Sequence, residues 1–156
     1  MHSTMQPHRP EHLSPYAEEC LRAVAERGLA HAERSALLEP PLREPSTSEF
    51  VDSLDDLVAA KMVALVERGA RRDFRDIYML CHENLATPDQ CWLYWQRRQE
   101  LAASDVDPRR ARTAIETHLI RIEMHRPLPS ITTPEARAEA EAVRSWFRGV
   151  FLNAGD

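Results

Sequence analysis

Glycine and lysine are both scarce in this 156-residue chain, and the scarcity of each narrows the possible folds and functions. Only four glycines occur among many Ala, Leu, Glu and Arg residues, a composition that favours a mostly helical fold. Lysine occurs once, at Lys61, against nineteen arginines. The formal charge of -5 at pH 7 argues against a protein that binds nucleic acid over its whole surface, but it leaves room for a local basic site.

Long apolar runs are also missing. No stretch reaches the roughly 18 consecutive apolar residues that a membrane-spanning helix needs, so we expect no contact with a membrane. The first twelve residues, "MHSTMQPHRPEH", are polar and have none of the apolar core of an export signal. We therefore expect a cytoplasmic protein.

Cysteines are few and unevenly placed. The three of them, Cys20, Cys81 and Cys91, make an odd number, which suits a reducing compartment. None of them has the paired spacing of zinc ligands. We predict buried thiols and no metal site from them.

Several helix starts are marked by an oxygen-bearing residue followed by proline, because the side chain caps the first turn and proline fits its first position. The pattern occurs at four places: Ser14-Pro15, Thr87-Pro88, Asp107-Pro108 and Thr133-Pro134. Gln90 completes a capping box with Thr87, and Ser53 with Asp56 offers a start without proline. The predicted helices cover about 54–68, 72–84, 88–102, 108–125 and 134–151, after a first helical stretch that begins near residue 15 and bends near residue 28.

This order of elements predicts an all-α fold, a helical bundle of about five to six helices. The proline-rich segment "LLEPPLREPSTSEF" reads as an extended connection, with room for one short strand near residues 49–52. Residues 1–12 are predicted to form a disordered tail, and residues 13–152 a single helical domain.

The single lysine falls on the apolar side of the helix predicted from residue 54. At about 100° per residue, four apolar residues surround Lys61 on that side: Leu54, Leu57, Val58 and Leu65. Asp73 and Asp76 lie three residues apart on the next helix and therefore share a face. Gly69 has the place of a helix C-cap, and the short connection favours antiparallel packing. Such packing would bring Lys61 towards Asp76 or Asp73.

Two interpretations of Lys61 remain open at this point. In the structural one, the lysine extends its charge to the surface and forms an ion pair that stabilises two helices. In the functional one, its compact ammonium group contacts a phosphate, for which the wider guanidinium of arginine is less suited at this position.

The segment "SALLEPPL" followed by "VDSLDDLVAAKMVALVERGARRDFRDIYML" resembles the AbiEii/AbiGii-type nucleotidyltransferase toxins of type IV toxin–antitoxin systems. The resemblance is carried by the start at Ser53 to Leu57, by Lys61, and by the run from Arg72 to Tyr78. The later segments "IRIEMHRPLPSI" and "WFRGVF" are similar to the end of that family, so the resemblance covers about residues 36–151.

The resemblance implies a nucleotidyltransferase that binds a nucleoside triphosphate with magnesium and transfers a nucleotide to an acceptor, such as the acceptor end of a transfer RNA. Lys61 would contact the triphosphate, Asp76 would orient the site, and Asp73 would be its neighbour. Three arginines would add contacts to phosphate or RNA, unless they form only surface salt bridges: Arg68, Arg71 and Arg72.

The chain departs from the family pattern in one respect. The family's catalytic core has a Gly-Ser pair followed by Asp-x-Asp, whose carboxylates bind magnesium. This sequence contains no Gly-Ser pair. Its one Asp-x-Asp motif ends at Asp107, which already serves as the predicted cap before Pro108. We therefore expect the helical, C-terminal half of the enzyme without its metal-binding half.

Two functions follow as hypotheses. In the first, the chain is a nucleotidyltransferase completed by a metal-binding half on another polypeptide. In the second, it is a non-catalytic helical module whose partner is such a half, an antitoxin or a second copy of itself. The aromatic run "CWLYWQRR", with Trp92 and Trp95, suits either a base-stacking platform or the protein core, and we favour the core.

Overall fold

The computed structural model describes residues 47–155 and, apart from them, Pro15. Five α-helices run through residues 47–155: α1 (Thr47–Glu67), α2 (Arg71–His82), α3 (Pro88–Leu101), α4 (Pro108–His125) and α5 (Pro134–Gly149). Two single 3₁₀ turns, Leu128–Ser130 and Phe151–Asn153, precede and follow α5. This part of the chain contains no strand, and the predicted all-α fold is confirmed.

Most predictions for the first 46 residues lie outside the described residues. They are the disordered tail over 1–12, the helical stretch towards residue 28 and the extended connection that follows it. Pro15 itself is helical and exposed.

Helix α1 begins earlier than predicted. It starts at Thr47, so the start placed at Ser53 was wrong, and residues 49–52 are helical where a short strand was allowed for. The physical reason is visible in the sequence. After Pro45 no proline or glycine follows until Gly69, so nothing interrupts the helix once it has formed.

The proline-marked helix starts are confirmed at all three places within residues 47–155. Thr87 accepts a hydrogen bond from the Gln90 amide (3.1 Å), and the Gln90 side chain accepts one from the Thr87 amide (2.9 Å), which completes the capping box. Asp107 caps α4 and Thr133 caps α5 in the same general way. These caps satisfy amide groups that an unfinished first turn would leave without partners.

The hydrophobic core forms where α1 packs against α2, α3 and α4. Helix α5 packs against α2 and against the 3₁₀ turn Phe151–Asn153. The core's largest fully buried side chains come from every helix and from the last turn: Met62, Leu65, Phe74, Ile77, Leu80, Cys91, Ile115, Leu119, Phe147 and Phe151. Trp92 and Trp95 are 4% and 3% exposed, so both belong to the core and neither offers a face to a nucleic-acid base. Among the described residues, no helix is both long and apolar enough to cross a membrane.

The turn between α1 and α2 is held against α4. Gly69 has a φ of +59°, a left-handed conformation that suits glycine at the end of a helix. The ring of His118 packs directly on it, and His118 Nε2 lies 3.0 Å from the Val66 carbonyl oxygen. His118 thus joins α4 to the end of α1 and to the turn that follows it.

Candidate functional site

The two helices joined by this turn bring Lys61 and Asp76 together. The Lys61 Nζ atom donates a hydrogen bond to Asp76 Oδ2 over 2.8 Å. Both side chains are partly exposed, at 22% and 25%. The sequence left Asp76 and Asp73 open as partners of Lys61, and the structure pairs Lys61 with Asp76.

Asp73 has different contacts, although it is only three residues away. Its carboxylate accepts two hydrogen bonds from Arg68, at 2.9 and 2.6 Å, and one from the Ala70 amide at 2.8 Å. The residue is 3% exposed. Burial alone would raise the pKa of Asp73, but the hydrogen bonds from Arg68 and Ala70 outweigh it and hold the pKa below its ordinary value. Asp73 thus secures the α1–α2 turn and the first turn of α2.

Lys61 sits where an apolar surface meets solvent. On its own helix Leu57, Val58 and Leu65 are buried. An ammonium group carries three N–H donors, and among the described residues Asp76 alone accepts one of them. The pair is therefore a cation held by a carboxylate, with a partly exposed side that a ligand is able to reach.

The arginines named from the sequence divide between two environments. Arg68 is committed to Asp73, as the surface-salt-bridge interpretation allowed. Arg71 and Arg72 are exposed at the start of α2, and neither forms an ion pair with a carboxylate in the part of the chain that the structure describes. Both line a groove between α2, α4 and α5.

This groove, which we call the arginine groove, has five arginines in its lining: Arg71, Arg72, Arg75, Arg126 and Arg144. Its volume is about 220 Å³, and Glu139 is the one acidic residue that lines it. Apolar side chains from the same three helices form the remaining wall: Phe74, Leu119, Ile122, Ala136, Ala140 and Val143. Sequence reasoning named Arg71 and Arg72 but missed Arg126 and Arg144, because no local pattern connects them with α2.

Arg144 is the unusual member of this set, since it is only 7% exposed. It donates a hydrogen bond to the backbone carbonyl of Arg126 over 2.8 Å. Burial lowers the pKa of Arg144; Glu123 counters this in part, while the nearby charges of Arg126, Arg148 and Arg71 lower it further. Glu123 itself accepts two hydrogen bonds from Arg148.

The Asp-x-Asp motif acts as a helix cap. Asp107 accepts a hydrogen bond from the Arg109 amide, and Asp105 accepts one from Arg110 Nε over 2.8 Å. Within residues 47–155, no three His, Cys, Asp or Glu side chains are grouped so that they would hold a metal ion. Asp76 alone, already paired with Lys61, does not supply the several oxygen ligands that magnesium takes. The described residues do not fit a magnesium ion by themselves.

Comparison with known proteins identifies a family for the chain. The family model described as nucleotidyl transferase AbiEii toxin, type IV toxin–antitoxin system, matches residues 21–147. That range includes α1 to α4, most of α5, the Lys61–Asp76 pair and all five arginines of the groove. No curated protein and no solved structure matches the chain. The chain belongs to the AbiEii nucleotidyltransferase toxin family of type IV toxin–antitoxin systems.

Proposed function

We propose that the chain is the helical part of a nucleotidyltransferase toxin in which Lys61 contacts the triphosphate of a bound nucleoside triphosphate. The observation that carries the proposal is the partly exposed Lys61–Asp76 pair, which lies within the residues 21–147 that the family model matches. The carboxylate of Asp76 holds the ammonium group in place over 2.8 Å. The charged group then meets phosphate as a point charge.

The remaining candidate residues have supporting parts in this proposal. Asp73 and Arg68 are positioning residues, because their hydrogen bonds hold the turn from which α2 starts. Arg72 lies four residues before Asp76 on α2, on nearly the same side of the helix, and is the arginine we propose as a further phosphate contact.

Magnesium enters this proposal only through the family. When bound beside a triphosphate, it supplies charge neutralisation for the transferred group. Its ligands would come from outside residues 47–155, either on another part of the protein or on a separate metal-binding half.

The proposal is tested by titrating the full chain with each nucleoside triphosphate, with and without magnesium, and following the melting temperature. At a nucleotide concentration 100 times Kd, binding stabilises the folded state by about 2.7 kcal/mol. For a chain of this size that raises Tm by about 5–10 °C. We expect the increase in wild type and its loss in Lys61→Ala and Lys61→Arg, because arginine does not reproduce the compact contact.

Two controls make the result specific. Arg97→Ala removes one positive charge from an exposed position on α3 and should keep the full increase. The Tm of each variant without nucleotide shows whether the fold is intact. Equal increases in wild type and both Lys61 variants would show that Lys61 is structural, and no increase with any nucleotide would overturn the proposal.

A second function, the non-catalytic interaction module, is favoured by a different observation. Ile120 and Met124 lie four residues apart on α4 and are 48% and 74% exposed. Apolar side chains on one side of a helix suit a protein partner. The family implies an antitoxin partner in general, and we propose this side of α4 as a contact for that antitoxin or for a second copy of the chain. Sedimentation of wild type and of Ile120→Ser with Met124→Ser tests the second-copy version, which a clean wild-type monomer at high concentration would exclude.

A further inference from the structure

We infer that the arginine groove binds the phosphate backbone of a single-stranded nucleic acid, at a second anion site separate from the Lys61–Asp76 pair. One part of the inference rests on the proposed function: the role of the strand as the acceptor of the transferred nucleotide. The charge, burial and shape of the groove support the site itself.

The charge in the groove is strongly one-sided. Five arginines face one glutamate, Glu139, and that glutamate is paired with Arg75 at 3.3 Å. The other four arginines form no ion pair with any described carboxylate. Guanidinium groups bind phosphate oxygens through paired N–H donors, so a phosphate is the ligand that this set of side chains fits best.

Burial of Arg144 marks the groove as more than a group of surface charges. A guanidinium that is 7% exposed has lost most of its hydration, and its described hydrogen bond goes to a neutral carbonyl. A buried charge is costly unless an opposite charge accompanies it. Glu123 offsets this cost only in part, and the nearby positive charges of Arg126 and Arg71 increase it. An anion in the groove, which those two arginines also line, would supply further opposite charge.

The shape of the groove favours a nucleotide unit over a bare phosphate ion. Its volume of about 220 Å³ is several times that of a water molecule, about 30 Å³. One part of its wall is apolar, with Leu119, Ile122 and Val143 beside the arginines. Positive charge next to apolar surface matches a strand, in which phosphates alternate with sugars and bases. The chain as a whole carries a formal charge of -5, so its net charge does not supply this attraction.

The position of the groove connects it with the proposed nucleotide site. Arg72 lines the groove, and Asp76 follows it by four residues on α2. At about 1.5 Å per residue, this separation is about 6 Å along the helix. A strand held by Arg71 and Arg72 therefore passes close to the Lys61–Asp76 pair.

Fluorescence polarisation of a labelled single-stranded RNA oligonucleotide, recorded against salt concentration, tests the inference on the full chain. If four phosphates are contacted, the slope of log K against log salt is about -2.8, since each contact contributes about 0.7 for single strands. The double variant Arg71→Gln with Arg126→Gln should lose about half of that slope. At 0.05 M salt its Kd should rise on the order of 50-fold.

Two further variants show whether the groove is responsible. Arg109→Ala removes one arginine from the first turn of α4, about 20 Å along the helix from Ile122, and should change nothing. Glu139→Gln removes the groove's acidic residue and should tighten binding. The inference is overturned if the double variant keeps the wild-type salt slope and Kd. It is also overturned if Arg109→Ala weakens RNA binding as much as the double variant does, or if wild type binds no RNA.

Competition separates the strand from a free phosphate ligand. Inorganic triphosphate at equal phosphate concentration should displace RNA weakly, because it makes no contact with the apolar wall. If triphosphate binds with the same dependence on Arg71 and Arg126 while RNA does not bind, the groove is a small-anion site and the strand is excluded. Failure of the nucleoside triphosphate test at Lys61, with RNA binding intact, would refute the proposed function and leave the groove standing.

Discussion

Asp73 and Asp76 are only three residues apart on α2, yet the structure predicts different effects of their alanine variants. Asp73→Ala should lose stability, and Asp76→Ala should lose nucleotide binding. Asp73 is buried and accepts three hydrogen bonds, two of them from a charged arginine. Loss of the bond to the Ala70 amide costs about 1 kcal/mol, as at other helix starts. Loss of the charged bonds to Arg68 adds about 1.5–3 kcal/mol. Asp73→Ala should therefore lower the free energy of unfolding by about 2.5–4 kcal/mol.

Asp76→Ala should have a much smaller effect on stability. The Lys61–Asp76 pair is partly exposed on both sides, and pairs of this kind contribute about 0–1 kcal/mol. The same variant should abolish the nucleotide-dependent increase in Tm, because Lys61 loses the group that orients it. Asp73→Ala, examined at a temperature where it is folded, should retain that increase.

Urea denaturation followed by tryptophan fluorescence measures the difference, because Trp92 and Trp95 are buried and report the loss of the core. Glu141→Ala is the matched control, since Glu141 is an exposed carboxylate on α5. A double-mutant cycle with Arg68→Ala isolates the Arg68–Asp73 term, expected at about 0.5–3 kcal/mol for residues in direct contact. If Asp73→Ala stays within 0.5 kcal/mol of wild type, a difference typical of surface positions, the structural assignment of Asp73 is wrong.

Because the pKa of Asp73 is lowered in the folded state, the stability that Asp73 contributes should depend on pH. That contribution is present above the unfolded value of about 3.9. The contribution is lost as the pH falls through the lower, folded pKa. Wild type should therefore lose stability more steeply than Asp73→Asn in acid below about pH 4. Parallel curves for the two proteins would contradict the assignment.

Two further predictions concern packing. Gly69→Ala should destabilise the fold by more than the roughly 1–3 kcal/mol of left-handed backbone strain, because a Cβ atom there would overlap the His118 ring. Gly149 has nothing near its Cβ position, so Gly149→Ala should be neutral or stabilising when the melting temperatures of the two variants are compared. Cys81 and Cys91 have their sulfur atoms 3.8 Å apart, and the hydrogen bond to Cys81 together with burial raises the pKa of Cys91. A thiol reagent should therefore modify Cys81 before Cys91, which should react only on unfolding, and fast modification of Cys91 in the folded protein would contradict its burial.

Capping residues and prolines made most helix starts predictable from the sequence. The start of α1 at Thr47 was missed because no capping residue followed by proline marks it. The helix starts at Thr87, Asp107 and Thr133 were predictable because a cap and a proline act within a single turn. Ser53 shows the same kind of signal but lies inside α1. A capping residue predicts a start only where the chain before it is unable to remain helical, and no proline or glycine stands between Thr47 and Ser53.

The candidate site was predictable in part for a similar reason. A short connection and a three-residue spacing were enough to bring Lys61 towards the aspartates. They did not select Asp76, because that choice depends on the left-handed turn at Gly69 and on Arg68 taking Asp73. The arginine groove lay beyond sequence reasoning altogether, since Arg126 and Arg144 reach α2 only through the packing of α4 and α5.

The two cationic sites also differ in how salt should affect them, and this difference ties the proposals together. Lys61 is paired with a carboxylate and contributes little net charge at a distance, whereas the groove holds four arginines without such partners among the described residues. Exposed charges act over about 8 Å at physiological salt, so attraction of a strand depends on the unpaired set. Lys61→Ala should consequently leave the salt slope of RNA binding unchanged while it removes nucleotide binding. A reduced slope in that variant would mean that Lys61 and the groove form one continuous phosphate site.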